Sequence, residues 1–114
     1  MDKKEFDELR DKIFVKVKEI HDTKGVDYRG GDNSNVTKYF DEIATQSLQF
    51  WGGDDFDKEW RREWYALFNK QLKAFQGWVS TGDLKDINEN LESRVIDMIG
   101  YLIYPVAYEA SKQK

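Results

Sequence analysis

The chain of 114 residues has no cysteine, one proline and one histidine. The missing cysteine excludes disulfides, thiolate metal sites and a cysteine nucleophile, and it fits a reducing cytoplasm. The single histidine, His21, lies at the end of a helical stretch, where an imidazole favours the negative end of the helix dipole. No serine–histidine–acid motif, Walker-type phosphate loop or dinucleotide glycine fingerprint is present. No apolar run approaches the roughly 18 residues of a membrane span, and the charged opening MDKKEFDELRDK does not read as a signal peptide. Basic excess is lacking too. Eighteen Lys and Arg against 22 Asp and Glu leave a net charge of −4, and no basic stripe forms of the kind that duplex nucleic acid requires. The expectation is a cytoplasmic protein that binds neither duplex nucleic acid nor membrane.

What the chain does have is aromatic side chains and helical periodicity. Seven Phe, six Tyr and four Trp can supply a dense core or an interface. Apolar residues recur at spacings of three and four in four segments. Residues 3–22 carry Phe6, Leu9, Ile13, Val17 and Ile20 and stop at Gly25. Residues 36–51 carry Val36, Phe40, Ile43, Ala44, Leu48 and Trp51, with Asn33, Ser34 and Asn35 as candidate N-caps and Gly52-Gly53 as the stop. Residues 57–79 carry Trp60, Trp64, Leu67, Phe68, Leu72, Phe75 and Val79, behind an acidic start at Asp54, Asp55 and Asp57 that suits the helix dipole. Residues 84–103 carry Leu84, Ile87, Leu91, Val95, Met98, Ile99 and Leu102, and Pro105 is expected to kink or end this helix. No segment alternates as a strand. The prediction is a single all-α domain over 1–114, a four-helix bundle or a compact variant of one.

Two features remain beyond the core pattern. One is the stretch "GVDYRGGDNSN", a predicted loop holding Asp27, Tyr28 and Arg29 among glycines. The other is Asp97, a carboxylate between Val95-Ile96 and Met98-Ile99. Such a group either faces a polar cavity or has a partner, for which Lys70, Lys73 and Arg94 are candidates. Gly100 leaves room for a helix or ligand to approach closely. Glu59 and Glu63 share a helical face, whereas Glu92 and Asp97 are about 140° apart around their helix axis and cannot chelate one ion without distortion. Trp60 and Trp64 flank Arg61 and Arg62, a composition suited to an interface, so at least one of the two is expected at an oligomer or partner contact.

The segments "DYRGGDNSNVTKYFDEIA", "NKQLKAF" and "ESRVIDMIGY", in that order, resemble the small phage proteins called nucleotide-modification-associated, which are similar in pattern to MazG-like all-α nucleoside triphosphate pyrophosphatases. The resemblance spans about residues 5–104. It implies a compact MazG-like helical domain that binds a nucleotide through Asp27, Tyr28, Arg29, Lys70, Lys73 and Tyr101, with Glu92 and Asp97 as candidate Mg²⁺ ligands. Arg29 stands where the pattern has glycine, and the Glu-x-x-Asp of the pyrophosphatases is missing from the fourth helix. The implied function is therefore a Mg²⁺-dependent nucleoside triphosphate pyrophosphohydrolase or a protein that sequesters nucleotides without turnover. A homo-oligomer is also implied. The alternative is a non-enzymatic module that binds and inhibits a host or defence protein.

Overall fold

The computed structural model describes residues 1–29, 33–83 and 90–113, without the side chains of Asp27 and Tyr28. The described residues are all-helical, with four long helices and one short one. They are α1 (Lys3–Thr23), α2 (Gly25–Arg29), α3 (Lys38–Trp51), α4 (Phe56–Thr81) and α5 (Leu91–Ser111). Three of the long helices start on a side-chain cap. Asp2 accepts from the backbone N–H of Glu5, Asp55 from Lys58 and Asn90 from Ser93. α3 and α4 each end on a glycine in the left-handed region, Gly52 and Gly82, both at φ 77°, a conformation that costs glycine little.

Four sequence expectations need correction. The predicted loop around Asp27-Tyr28-Arg29 contains the single-turn helix α2, and Gly25 starts it with no left-handed turn. Packing around it is close, since a Cβ would stand 3.1 Å from Arg29 Nη1, a tight contact, and 3.6 Å from the Tyr104 hydroxyl, an ordinary one. The N-cap of α3 is Thr37 rather than Asn33, Ser34 or Asn35. Asn35 instead turns the chain, its Oδ1 accepting from the Thr37 backbone N–H and hydroxyl. The last helix is capped at Asn90, and its expected opening residues Leu84 and Ile87 lie outside the described residues, as do Gly30-Gly31. Finally, of the two expectations for Pro105 the structure overturns the stop, since α5 continues through it to Ser111.

The helix survives its proline because another residue replaces the missing bond. A proline at 105 withholds the N–H that the Tyr101 carbonyl would accept. The Trp64 indole Nε1–H of α4 donates to that carbonyl at 2.9 Å. One residue earlier, the Gly100 carbonyl accepts from His21 Nε2 of α1 at 3.1 Å. Two successive carbonyls of α5 thus tie it to both of its long neighbours. His21 stands in the last turn of α1 as expected and gains a partner beyond the helix dipole, while Trp64 packs on the core rather than only presenting an interface.

The main buried cluster lies where α3, the start of α4 and the second half of α5 meet. Phe40, Ala44, Trp60, Tyr104 and Tyr108 are buried together, bordered by Phe56, Trp64, Leu67 and Tyr101. Trp60 is 1% exposed, stacks on Tyr108 at 4.0 Å and donates its indole N–H to Asp41 Oδ1. It is a core residue and makes no interface. Trp64 stacks on Phe68 at 5.0 Å, facing inward as well. Trp51, expected on the inner stripe of α3, is 79% exposed; it ends the helix beside the open Gly52 turn, beyond reach of the core.

The helices form an open arrangement. α5 packs against α1 and α4, α4 against α3, and α2 links α1 to α3; among the described residues α1 does not pack on α3 or α4. The radius of gyration is 16.4 Å, against about 13 Å for a compact domain of roughly this length. The apolar stripe of α1 is covered only in its second half. Val17 is buried on α5, whereas Phe6 is 56% exposed, because α5 begins level with Lys12, which pairs with Glu92 at 3.3 Å.

Candidate site in the cleft between α1 and α5

α1 and α5 run in the same direction, with Lys16 near Glu92 and His21 against Gly100. A glycine at 100 leaves the seam open, and His21 Nε2 is the atom nearest to where a Cβ would stand, at 3.6 Å. Beside it is a cavity of about 250 Å³. Its wall includes Asp97, Gly100, Tyr101 and Tyr104 from α5, His21 from α1, and Gln71 from α4. Lys24 and Gly25 close the end where α1 passes into α2. A shallower cavity of about 460 Å³ continues along the same seam, lined by Lys16, Glu19, Thr23 and Ser93, and shares Ile20, Lys24 and Asp97 with the first.

Asp97 faces this cavity, whose wall is more apolar than polar, with His21, Lys24 and Gln71 among its polar side chains. It makes no hydrogen bond or ion pair with any described residue. Arg94, one expected partner, is buried and donates to Gln71. Lys70 and Lys73 are exposed on α4 and do not line the cleft. The cations that stand there are Lys24 and, along the outer cavity, Lys16, neither of which the sequence offered a reason to select. Tyr101 does line the cavity with Asp97, one helical turn on. The hydroxyl of Tyr104 is held neutral, its pKa raised chiefly by burial.

The other expected site residues are placed elsewhere. Arg29 donates through Nη1 to the His21 carbonyl at 3.1 Å and through Nε to Asn33 Oδ1 at 3.0 Å. It thereby caps the open carbonyl end of α1 and borders a separate cavity of about 190 Å³. The side chains of Asp27 and Tyr28 lie outside the described residues. Glu92 points toward α1, with Lys12 at 3.3 Å and Lys16 at 3.9 Å. Glu59 accepts from the Ser47 hydroxyl at 2.6 Å. Among the described residues no three His or carboxylate side chains gather in a way that could hold a metal ion. The pair Glu92 and Asp97 does not fit a shared Mg²⁺, since one is engaged by lysines on α1 and the other lines the cleft.

A second polar cluster closes the far end of the core. The Tyr108 hydroxyl donates to Asp57, and Lys112 pairs with the same carboxylate at 2.9 Å. The Tyr108 bond, then Lys112, hold the Asp57 pKa below its usual value, while burial and then Asp57 push the Tyr108 hydroxyl up. Lys112 also lies over the Tyr108 ring at 4.4 Å. All three groups are mutually satisfied, so this cluster ties α4 to the end of α5.

No protein-family model matches this chain, and comparisons with curated proteins and with solved structures found no match either.

Proposed function

We propose that this chain is a phage-type, MazG-like helical protein that binds a nucleotide in the cleft between α1 and α5. The observation that carries the reading is the shared wall of the inner cavity, where Asp97, Tyr101 and Lys24 stand together. The three supply a hydrogen-bond acceptor, an aromatic surface and a cation, the inventory a nucleotide needs for its base edge, its ring and its phosphate. The order of the segments around Tyr28, Lys70 and Asp97 in the chain supports the same reading by resemblance.

Binding without turnover is favoured over pyrophosphate release. Hydrolysis of that kind needs metal ions to support charge at phosphorus, and the described carboxylates do not converge on one point. A thermal-shift screen against nucleotides and deoxynucleotides, with and without Mg²⁺, tests the proposal. A ligand at 100 times its Kd adds about 2.7 kcal/mol of stability, which corresponds to a rise on the order of 10 °C for a domain of this size. A flat screen would sink the reading.

A separate observation favours a second reading, a protein-binding module. Phe50 and Trp51 are 78% and 79% exposed and touch each other at 4.8 Å. Large aromatics exposed together are typical of contact hot spots. The contact would be to a host protein or to a second copy of this chain. Replacing both with Ser should leave helicity intact and change assembly mass or partner capture.

A further inference from the structure

Among the described residues Asp97 is the one carboxylate lining the inner cavity, and an ionised carboxylate only accepts hydrogen bonds. Two neighbouring polar atoms, His21 Nε2 and Gln71 Oε1, are already engaged. His21 is bonded to the Gly100 carbonyl, and Gln71 accepts from Arg94. The cavity thus asks a ligand for N–H donors, presented beside a flat face that can lie against Tyr101. A simple amine cation would meet these needs, but Lys24 in the same wall repels it. A neutral planar edge with two adjacent N–H groups satisfies both conditions. Both carboxylate oxygens can then be used at once, the geometry that makes paired charge-assisted bonds strong.

The outer cavity limits the other end of the ligand. It offers Lys16 and Lys24, offset by Glu19 and Asp97, and Lys16 is also 3.9 Å from Glu92. Such a balance suits one phosphate at most and disfavours the clustered charge of a triphosphate. Size agrees with this division, since about 250 Å³ falls below the roughly 300–1,000 Å³ of a pocket that takes a whole small ligand. The inner cavity suits a base, with the sugar lying along the outer one.

We infer that the ligand is a purine nucleoside or monophosphate with a 2-amino-6-oxo, guanine-type edge, whose adjacent N1–H and N2–H groups donate to Asp97. This rests on the nucleotide-binding reading and deepens it. Adenine is disfavoured because its N1 lone pair would face the carboxylate.

Calorimetric titration of the full chain with guanosine, inosine and adenosine 5′-monophosphates, and with guanosine triphosphate, tests the inference. The guanosine monophosphate should bind about tenfold or more tighter than the adenosine one, as two paired bonds to a base edge allow. The inosine monophosphate should fall between them, and the triphosphate should bind no tighter than the guanosine monophosphate. Asp97→Asn should remove or reverse the base preference, because an amide presents one donor and one acceptor. Asp97→Glu, which keeps the charge and displaces it by one methylene, should weaken the preference and serves if the amide variant does not fold. Equal or tighter binding of the adenosine monophosphate would overturn the guanine-type edge. A triphosphate more than about tenfold tighter than the monophosphate would overturn the phosphate limit. Binding of none of the four would overturn the nucleotide reading itself.

Discussion

At the residue scale, two side chains on α5 show how far local chemistry can be read. Asp97 stands out in the sequence because its neighbours are apolar, and the structure places it on the cleft. Gly100 stands out because it lacks a side chain and leaves room for close approach, and His21 approaches it. Gly100→Ala makes a clean probe. A Cβ there meets His21 at an ordinary contact distance of 3.6 Å, and alanine is favoured over glycine in a helix by about 1 kcal/mol. The variant should keep or raise the melting temperature while narrowing the cleft, so that nucleotide affinity falls. The partnership of Tyr108 with Asp57 yields a pH prediction. Asp57 has a folded pKa below 3.8, so its contribution is fully present above that value and is lost as pH falls through the lower folded value. The melting temperature gap between the wild type and Tyr108→Phe should be constant from neutral pH to about pH 5 and should narrow below 3.8. A gap that widens in acid would contradict the assignment. The roles of Lys24, His21 and Arg29 were not legible in advance. His21 and Arg29 are held by backbone carbonyls, which leave no mark on sequence pattern, and Lys24 looks like any exposed lysine at a helix end.

At the scale of elements, α1, α3 and α4 follow from periodicity and stop signals, with observed ends within two residues of those expected. Periodicity reports one buried face well because each helix packs on a neighbour over part of its length. It could not report that α5 continues past Pro105, since that depends on a tryptophan 41 positions earlier. The Trp64 bond to the Tyr101 carbonyl gives a quantitative test. Trp64→Phe should cost about 1–3 kcal/mol, from removing a part-buried hydrogen bond together with some lost packing. In a Pro105→Ala background the restored backbone N–H competes for that carbonyl, and the cost of Trp64→Phe should shrink. A double-mutant cycle by chemical denaturation should show coupling of about 0.5–3 kcal/mol; strict additivity would refute the link. The single-turn α2 was hidden by Gly25, which starts the helix close to Arg29 and Tyr104.

On the scale of the whole molecule, stability is concentrated where α3, α4 and the second half of α5 meet. Trp60→Ala should cost about 3–5 kcal/mol by leaving a cavity, whereas Phe6→Ala, at a 56% exposed position, should stay within about 0.5 kcal/mol. The sequence pattern showed four amphipathic helices but not which stretches of their stripes stay uncovered, because periodicity does not encode how far one helix overshoots another. That overshoot leaves α1 bound to the rest mainly through α5, and along their seam a carboxylate, an aromatic ring and a lysine line a shared cavity. The most direct measurement of the account is therefore made on Asp97→Asn, comparing melting temperature and nucleotide titration with the wild type. The account predicts a melting temperature close to that of the wild type, since Asp97 has no partner among the described residues to lose, together with lost or altered nucleotide binding. Unchanged binding with a lowered melting temperature would contradict it, removing Asp97 from the site and the cleft from function.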